Sequence, residues 1–186
     1  MTAYEEPVVI IVDDDESCAS RLGLLLTEST GAAVQVFPRV SDVEAWMESV
    51  TALDAKPPDL AVVDLRLPDG HGWDVAQLVN ARSRDCPVIA WTAWSAGLSS
   101  PPKSVSDHVL AIVGKSEADE VLVQLVRSEL SARGHKLPRW PAPPSRAALV
   151  ERRLHRVAGA LSDVKTLAGI ALAAAAILAV LVRSWS

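Results

Sequence analysis

The stretch VVIIVDDDES, Val8 to Ser17, runs five apolar residues straight into three consecutive aspartates. Unbroken β-branched apolarity, with no polar alternation, is the pattern of a strand buried on both faces, as in a parallel sheet covered by helices. Neighbouring carboxylates repel one another, so the acidic trio at the strand's end needs either solvent to disperse its charge or a cation to neutralise it.

Working outward, four more short apolar runs recur, at Ala33 to Phe37, Leu60 to Asp64, Val88 to Thr92 and Val109 to Val113. Segments of helical period fall between or after them: Ser17 to Thr27, Asp42 to Val50, Trp73 to Ala81 and Glu117 to Ala132. This alternation predicts an α/β fold, a doubly wound five-stranded parallel sheet. The connection Ser95 to His108 carries Pro101 and Pro102, which deny it a long regular helix, so a loop or short helical turn is expected there.

Composition bounds what surrounds this sheet. The chain has 186 residues and 49% hydrophobic content, room for one domain with a real core plus a tail. Residues 1–135 carry 21 acidic and 10 basic groups, net −11, whereas 136–186 carry 2 and 8, net +6. Such halves face different surroundings. Cys18 and Cys86 show neither metal-ligand spacing nor disulfide density, which suits a reducing compartment. The start MTAYEEP has no basic segment followed by an apolar run, so no signal peptide is expected.

In an open α/β sheet the functional crevice lies at the carboxyl ends of the strands. There the first strand delivers Asp13 and Asp14, the third Asp64 (DLAVVDLRLPDGHG), the fourth Thr92 (VIAWTA) and the fifth Lys115 (AIVGKS). Three carboxylates, a hydroxyl and an ammonium thus converge.

In these motifs, over about residues 7–132, the chain resembles a response-regulator receiver domain of two-component signalling. The resemblance implies a flavodoxin-like fold with strand order 2-1-3-4-5. It implies that Asp64 accepts a phosphoryl group from a histidine kinase or phosphotransfer protein. Mg²⁺ would be held by Asp13, Asp14, Asp64 and the backbone carbonyl of Arg66, while Thr92 and Lys115 contact the phosphoryl group. Carboxylate oxygen suits hard Mg²⁺, and fixed positive charge stabilises a transferring phosphoryl.

The chain departs from the family's pattern at three places. Ser116 stands where receivers carry Pro, and could instead cap the following helix; Ile112 replaces the aromatic switch residue; and the fourth helix is broken by its prolines. Arg66 and Trp94, two residues beyond Asp64 and Thr92, are expected to shield an acyl phosphate from water, and an unchanged dephosphorylation rate in Trp94→Ala would count against that. Trp46 and Trp91 read as packing residues.

After Arg133 comes the proline-dense GHKLPRWPAPPS, which ends the domain near residue 135 and reads as a linker over 136–146. Ala147, Val150, Leu154, Val157, Leu161, Val164 and Ala168 then mark a heptad seam, so 147–165 is an amphipathic helix expected to self-associate as a coiled coil. The 17 uncharged residues Thr166 to Val182 span about 25 Å as a helix. With 166–183 they suggest a single C-terminal membrane span, the basic residues before it keeping the receiver on the cytoplasmic side of a bacterial inner membrane. The net −11 domain offers no basic face for nucleic acid. The expected function is a Mg²⁺-dependent phospho-acceptor, not an enzyme, signalling by protein contacts at the membrane. The alternative is a receiver-like adaptor that is never phosphorylated and recruits partners to an oligomeric membrane anchor. A phosphatase with an aspartyl nucleophile is disfavoured because Arg66 stands where its second acid belongs.

Overall fold

The computed structural model describes residues 5–83, 85–93, 100–116 and 119–140. In chain order the elements are β1 (Val8–Val12), α1 (Glu16–Thr30), β2 (Ala33–Phe37), α2 (Val40–Ala52), β3 (Leu60–Val63), the two-residue strands β4 (Arg66–Leu67) and β5 (Gly70–His71), α3 (Gly72–Arg82), β6 (Val88–Thr92), a 3-10 turn (Ser106–His108), β7 (Val109–Gly114) and α4 (Asp119–Ala132). The main sheet is parallel, in the order β2-β1-β3-β6-β7. Counting only its five strands this is the expected 2-1-3-4-5. The antiparallel β4–β5 hairpin was not anticipated; each of its strands is too short to leave a periodic signal.

Strand alternation divides the core in two. Val9, Ile11, Leu60, Val62, Ile89 and Trp91 pack with Leu22 and Leu26 of α1 and Leu122 and Val126 of α4. On the other face, Ile10, Val12, Ala61, Val63, Val88 and Ala90 pack with Val43 and Met47 of α2 and Val75 and Val79 of α3. Each fully buried Val, Leu or Ile contributes roughly 1.5–3 kcal/mol of transfer free energy, so the three central strands anchor the fold. Coverage of both faces fails at the β7 edge, where Leu110 and Ile112 are 48% and 37% exposed.

Helix boundaries follow local chemistry. α1 stops at Gly31, whose φ of 68° is left-handed and whose N–H bonds Thr27 O at 2.9 Å. Between β6 and β7 there is no α-helix among the described residues, as the prolines require. Instead Val105 is fully buried in the α2–α3 face, and Gln77 Nε2 donates to Ser104 Oγ at 3.3 Å. The segment 100–108 thus covers that face with a turn and one apolar side chain.

One compact unit spans Met1–Pro141. The stretch after residue 135 packs through Trp140: Leu137 and Trp140 lie against the α1–α4 core, and Arg127 Nη2 donates to Pro138 O at 3.0 Å. Two apolar side chains and one guanidinium are enough to seat a segment whose composition reads as linker. Arg127 Nη1 also bonds Ser29 O at the end of α1. The rest of the proposed linker, the 147–165 helix and the 166–183 span lie outside the described residues; among those described, no helix is long and apolar enough to cross a membrane.

Candidate functional site

The site is assembled by strand pairing. Asp13 N donates to Phe37 O at 3.0 Å and Asp64 N to Val12 O at 2.8 Å, so hydrogen bonds of the strand ends fix where both aspartates begin. Carboxylate oxygens of Asp13, Asp14 and Asp64 all come within 4.8 Å of one another. Asp13 is 1% and Asp64 7% exposed, whereas Asp14 faces solvent.

Lys115 reaches in from the end of β7. Its ammonium donates to Asp13 Oδ1 at 2.8 Å and to Asp64 Oδ2 at 2.6 Å. Asp13 Oδ2 is buried and lies 2.7 Å from the same nitrogen, so the ammonium sits between both oxygens of that carboxylate. Burial pushes the Asp13 carboxyl above its usual range, although Lys115 pulls the other way. Burial alone would lower the Lys115 ammonium, but its bonds to Asp13 and Asp64 outweigh that and raise it. Three carboxylates gathered around the Lys115 ammonium leave more negative charge than that one cation carries. That donor set fits a hard divalent cation such as Mg²⁺.

Thr92 ends β6, 1% exposed, and its carbonyl accepts from Lys115 N at 2.8 Å. Arg66 N donates to Asp64 Oδ1 at 3.2 Å, so the residue expected to lend its carbonyl has its backbone at the site. Every expected site residue is therefore at or beside the carboxyl ends of β1, β3, β6 and β7. Ile112 lies on the exposed β7 edge, Ser116 is exposed, and Trp94 is outside the described residues. α4 begins at Asp119 and residues 117 and 118 are outside the described ones, so capping by Ser116 stays an expectation. Trp46 stacks obliquely on Phe37 with ring centroids 5.4 Å apart, and Trp91 is buried, as packing residues should be.

Several roles were missed from sequence. Asp15, the third aspartate, is the N-cap of α1: its Oδ1 accepts from Ser17 N and Cys18 N, both at 3.1 Å, and from Ser17 Oγ at 2.6 Å. Those bonds hold its carboxyl below the usual range. An aspartate just before a helical period is a capping signal and could have been read. Asp69 gives no such sign. In the β4–β5 turn, it accepts from Val40 N at 2.9 Å and Ser41 N at 3.0 Å, capping α2 from 28 residues away and lowering its carboxyl to about 2. Gly72 starts α3 so close to the end of β3 that a Cβ there would meet Asp64 O at 2.3 Å.

A five-stranded parallel sheet with acidic groups and a lysine at its carboxyl edge defines a class, and the response regulator receiver domain model matches residues 9–127. The chain belongs to that family, whose members bind Mg²⁺ at such an acidic pocket. Among curated proteins it is 31% identical over 140 residues to the photosynthetic apparatus regulatory protein RegA of Cereibacter sphaeroides, covering 75% of this chain and 69% of that one. It is 31% identical over 120 residues to the acid tolerance regulatory protein ActR of Rhizobium meliloti, covering 64% of this chain and 58% of ActR. Among solved structures, the non-phosphorylated HemR receiver domain of Leptospira biflexa matches with a TM-score of 0.54 at 26% identity, over 73% of this chain and all of HemR's.

Proposed function

We propose that this chain is the phospho-acceptor of a two-component pathway, with Asp64 as the acceptor. The observation that carries this is the convergence of Asp13, Asp14 and Asp64 within 4.8 Å, with Lys115 bonded to two of them. An Asp64 carboxylate oxygen attacks the phosphorus of a phosphohistidine on a histidine kinase or phosphotransfer protein. The P–N bond breaks, the imidazole leaves with its electron pair, and an acyl phosphate remains. Lys115 offers a point charge to the phosphoryl oxygens and Thr92 a hydroxyl. Mg²⁺, when bound by Asp13, Asp14, Asp64 and the Arg66 carbonyl, supplies positive charge against the oxygens of the group being transferred. No turnover beyond slow autodephosphorylation is proposed.

The output is proposed to be protein contact rather than nucleic-acid binding, in keeping with the net −11 of residues 1–135. RegA and ActR are named as regulatory proteins, which agrees with a signalling role. The apolar run 166–182 supports a membrane tether, with the receiver on the cytoplasmic face of a bacterial inner membrane and self-association through 147–165. Loss of membrane sedimentation on deleting 166–186 would support the tether; unchanged fractionation would remove it. A second reading, an adaptor that is never phosphorylated, is favoured by the exposed aliphatic Ile112 in the aromatic switch position.

One titration separates the two. Beryllofluoride, an acyl-phosphate mimic, is added with Mg²⁺ while tryptophan fluorescence is followed, with Asp64→Asn as control. A saturable, Mg²⁺-dependent change lost in the variant supports the acceptor. No change, together with no labelling by acetyl phosphate, leaves the adaptor.

A further inference from the structure

Lys115 has a third neighbour besides its two carboxylates. Its ammonium nitrogen lies over the ring of Trp91, 5.2 Å from the centroid, inside the roughly 6 Å range of a cation–π contact. Strand geometry makes this placement systematic. Trp91 pairs in register with Val113, and both belong to the α1–α4 face of the sheet. Side chains alternate along a strand, so Lys115, two residues after Val113, leaves the edge on the Trp91 side. Trp91 is 1% exposed and among the largest buried side chains of the domain, so its ring is held still by packing.

We infer that Trp91 is a positioning residue for Lys115, holding the ammonium over the acceptor by its ring face. The contribution to phosphoryl chemistry rests on the function proposed above; the contact itself does not. Asp13 and Asp64, which hold the ammonium now, are also the carboxylates a divalent cation would claim. Of the three partners, the ring alone carries no charge for the cation to attract. It keeps the lysine in place when the carboxylates are shared. An aliphatic residue of similar volume would fill the core equally well and leave the ammonium without this anchor.

The test uses the full chain with ¹³C-labelled lysine ε-carbons, free of Mg²⁺, and the Lys115 signal assigned with Lys115→Arg. Ring current should move the Lys115 ε-methylene upfield of the other lysines. Trp91→Met should return it to their range, and Trp91→Phe should leave part of the shift. In parallel, beryllofluoride affinity with Mg²⁺ is measured by calorimetry: Trp91→Met should weaken it about three- to thirtyfold, the span of a cation–π contact, with Trp91→Phe between. An unshifted Lys115 in the unsubstituted protein overturns the inference, as does a folded Trp91→Met of unchanged affinity. Should Trp91→Met fail to fold, Trp91→Phe decides: shift and affinity reduced together support the role, and either one unchanged refutes it. A shifted Lys115 in a protein that binds no beryllofluoride would sink the acceptor reading and still support the lysine–ring contact.

Discussion

On the β1–β3 side of the sheet's carboxyl edge, Asp13 and Asp64 are nearly buried, tied to backbone carbonyls and pinned by the Lys115 ammonium. On the β6–β7 side, the connection runs through an irregular 100–108 segment, and Ile112 stands half in solvent. The first region leaves little freedom because each group touches another that is itself fixed. The second is looser, and it is where the chain departs from the family's pattern.

Five substitutions would break or sharpen this contrast, beginning with the largest expected effect. Lys115→Met leaves buried carboxylates without their cation and should lower Mg²⁺-free stability by on the order of 3 kcal/mol in a urea titration. Added Mg²⁺ should then raise the melting temperature more in the variant than in the parent; equal shifts would argue that the cation does not answer the same charge. Gly72→Ala forces a methyl against the Asp64 carbonyl, which is backbone and cannot swing aside, and should cost about 2 kcal/mol. Gly70→Ala is the sharper half of that pair. Its methyl would meet the Val40 side chain at 2.9 Å, a group that can shift, so a smaller loss is expected.

Asp69→Asn comes next, read as stability against pH. Because the folded-state carboxyl is lowered to about 2 from an ordinary 3.8, its contribution is present above the ordinary value and fades as pH falls toward 2. The parent should therefore lose stability between pH 4 and 2 relative to the variant; parallel curves would show that the α2 cap carries no charge-dependent stability. Smallest is Ile112→Thr on the β7 edge, expected to stay within about 0.5 kcal/mol in thermal melts. A loss of 2 kcal/mol or more would mean that the edge is packed as tightly as the Asp13–Asp64 side.

Much of the site was legible because its parts sit at strand ends, and strand ends can be read from apolar runs. Asp13, Asp14, Asp64, Thr92 and Lys115 each follow or close such a run. Asp15 was legible too, as a cap. Asp69 and Trp91 were not: one acts on a helix that precedes it by 28 residues, the other on a lysine one strand away. Leu137 and Trp140 were hidden by their neighbours, since proline-rich composition argues for a linker whatever two apolar side chains do.

From the sequence alone came the α/β class, the sheet's central strands, the gathering of Asp13, Asp14, Asp64, Thr92 and Lys115 at their carboxyl ends and the irregular course of residues 100–108, all set by local periodicity and by the backbone chemistry of proline. Only the tertiary structure decided which carboxylate is buried, that Asp69 caps α2, and what holds the lysine. Those depend on distances between segments far apart in the chain, where burial and the nearest partner, rather than residue type, determine what a charge does.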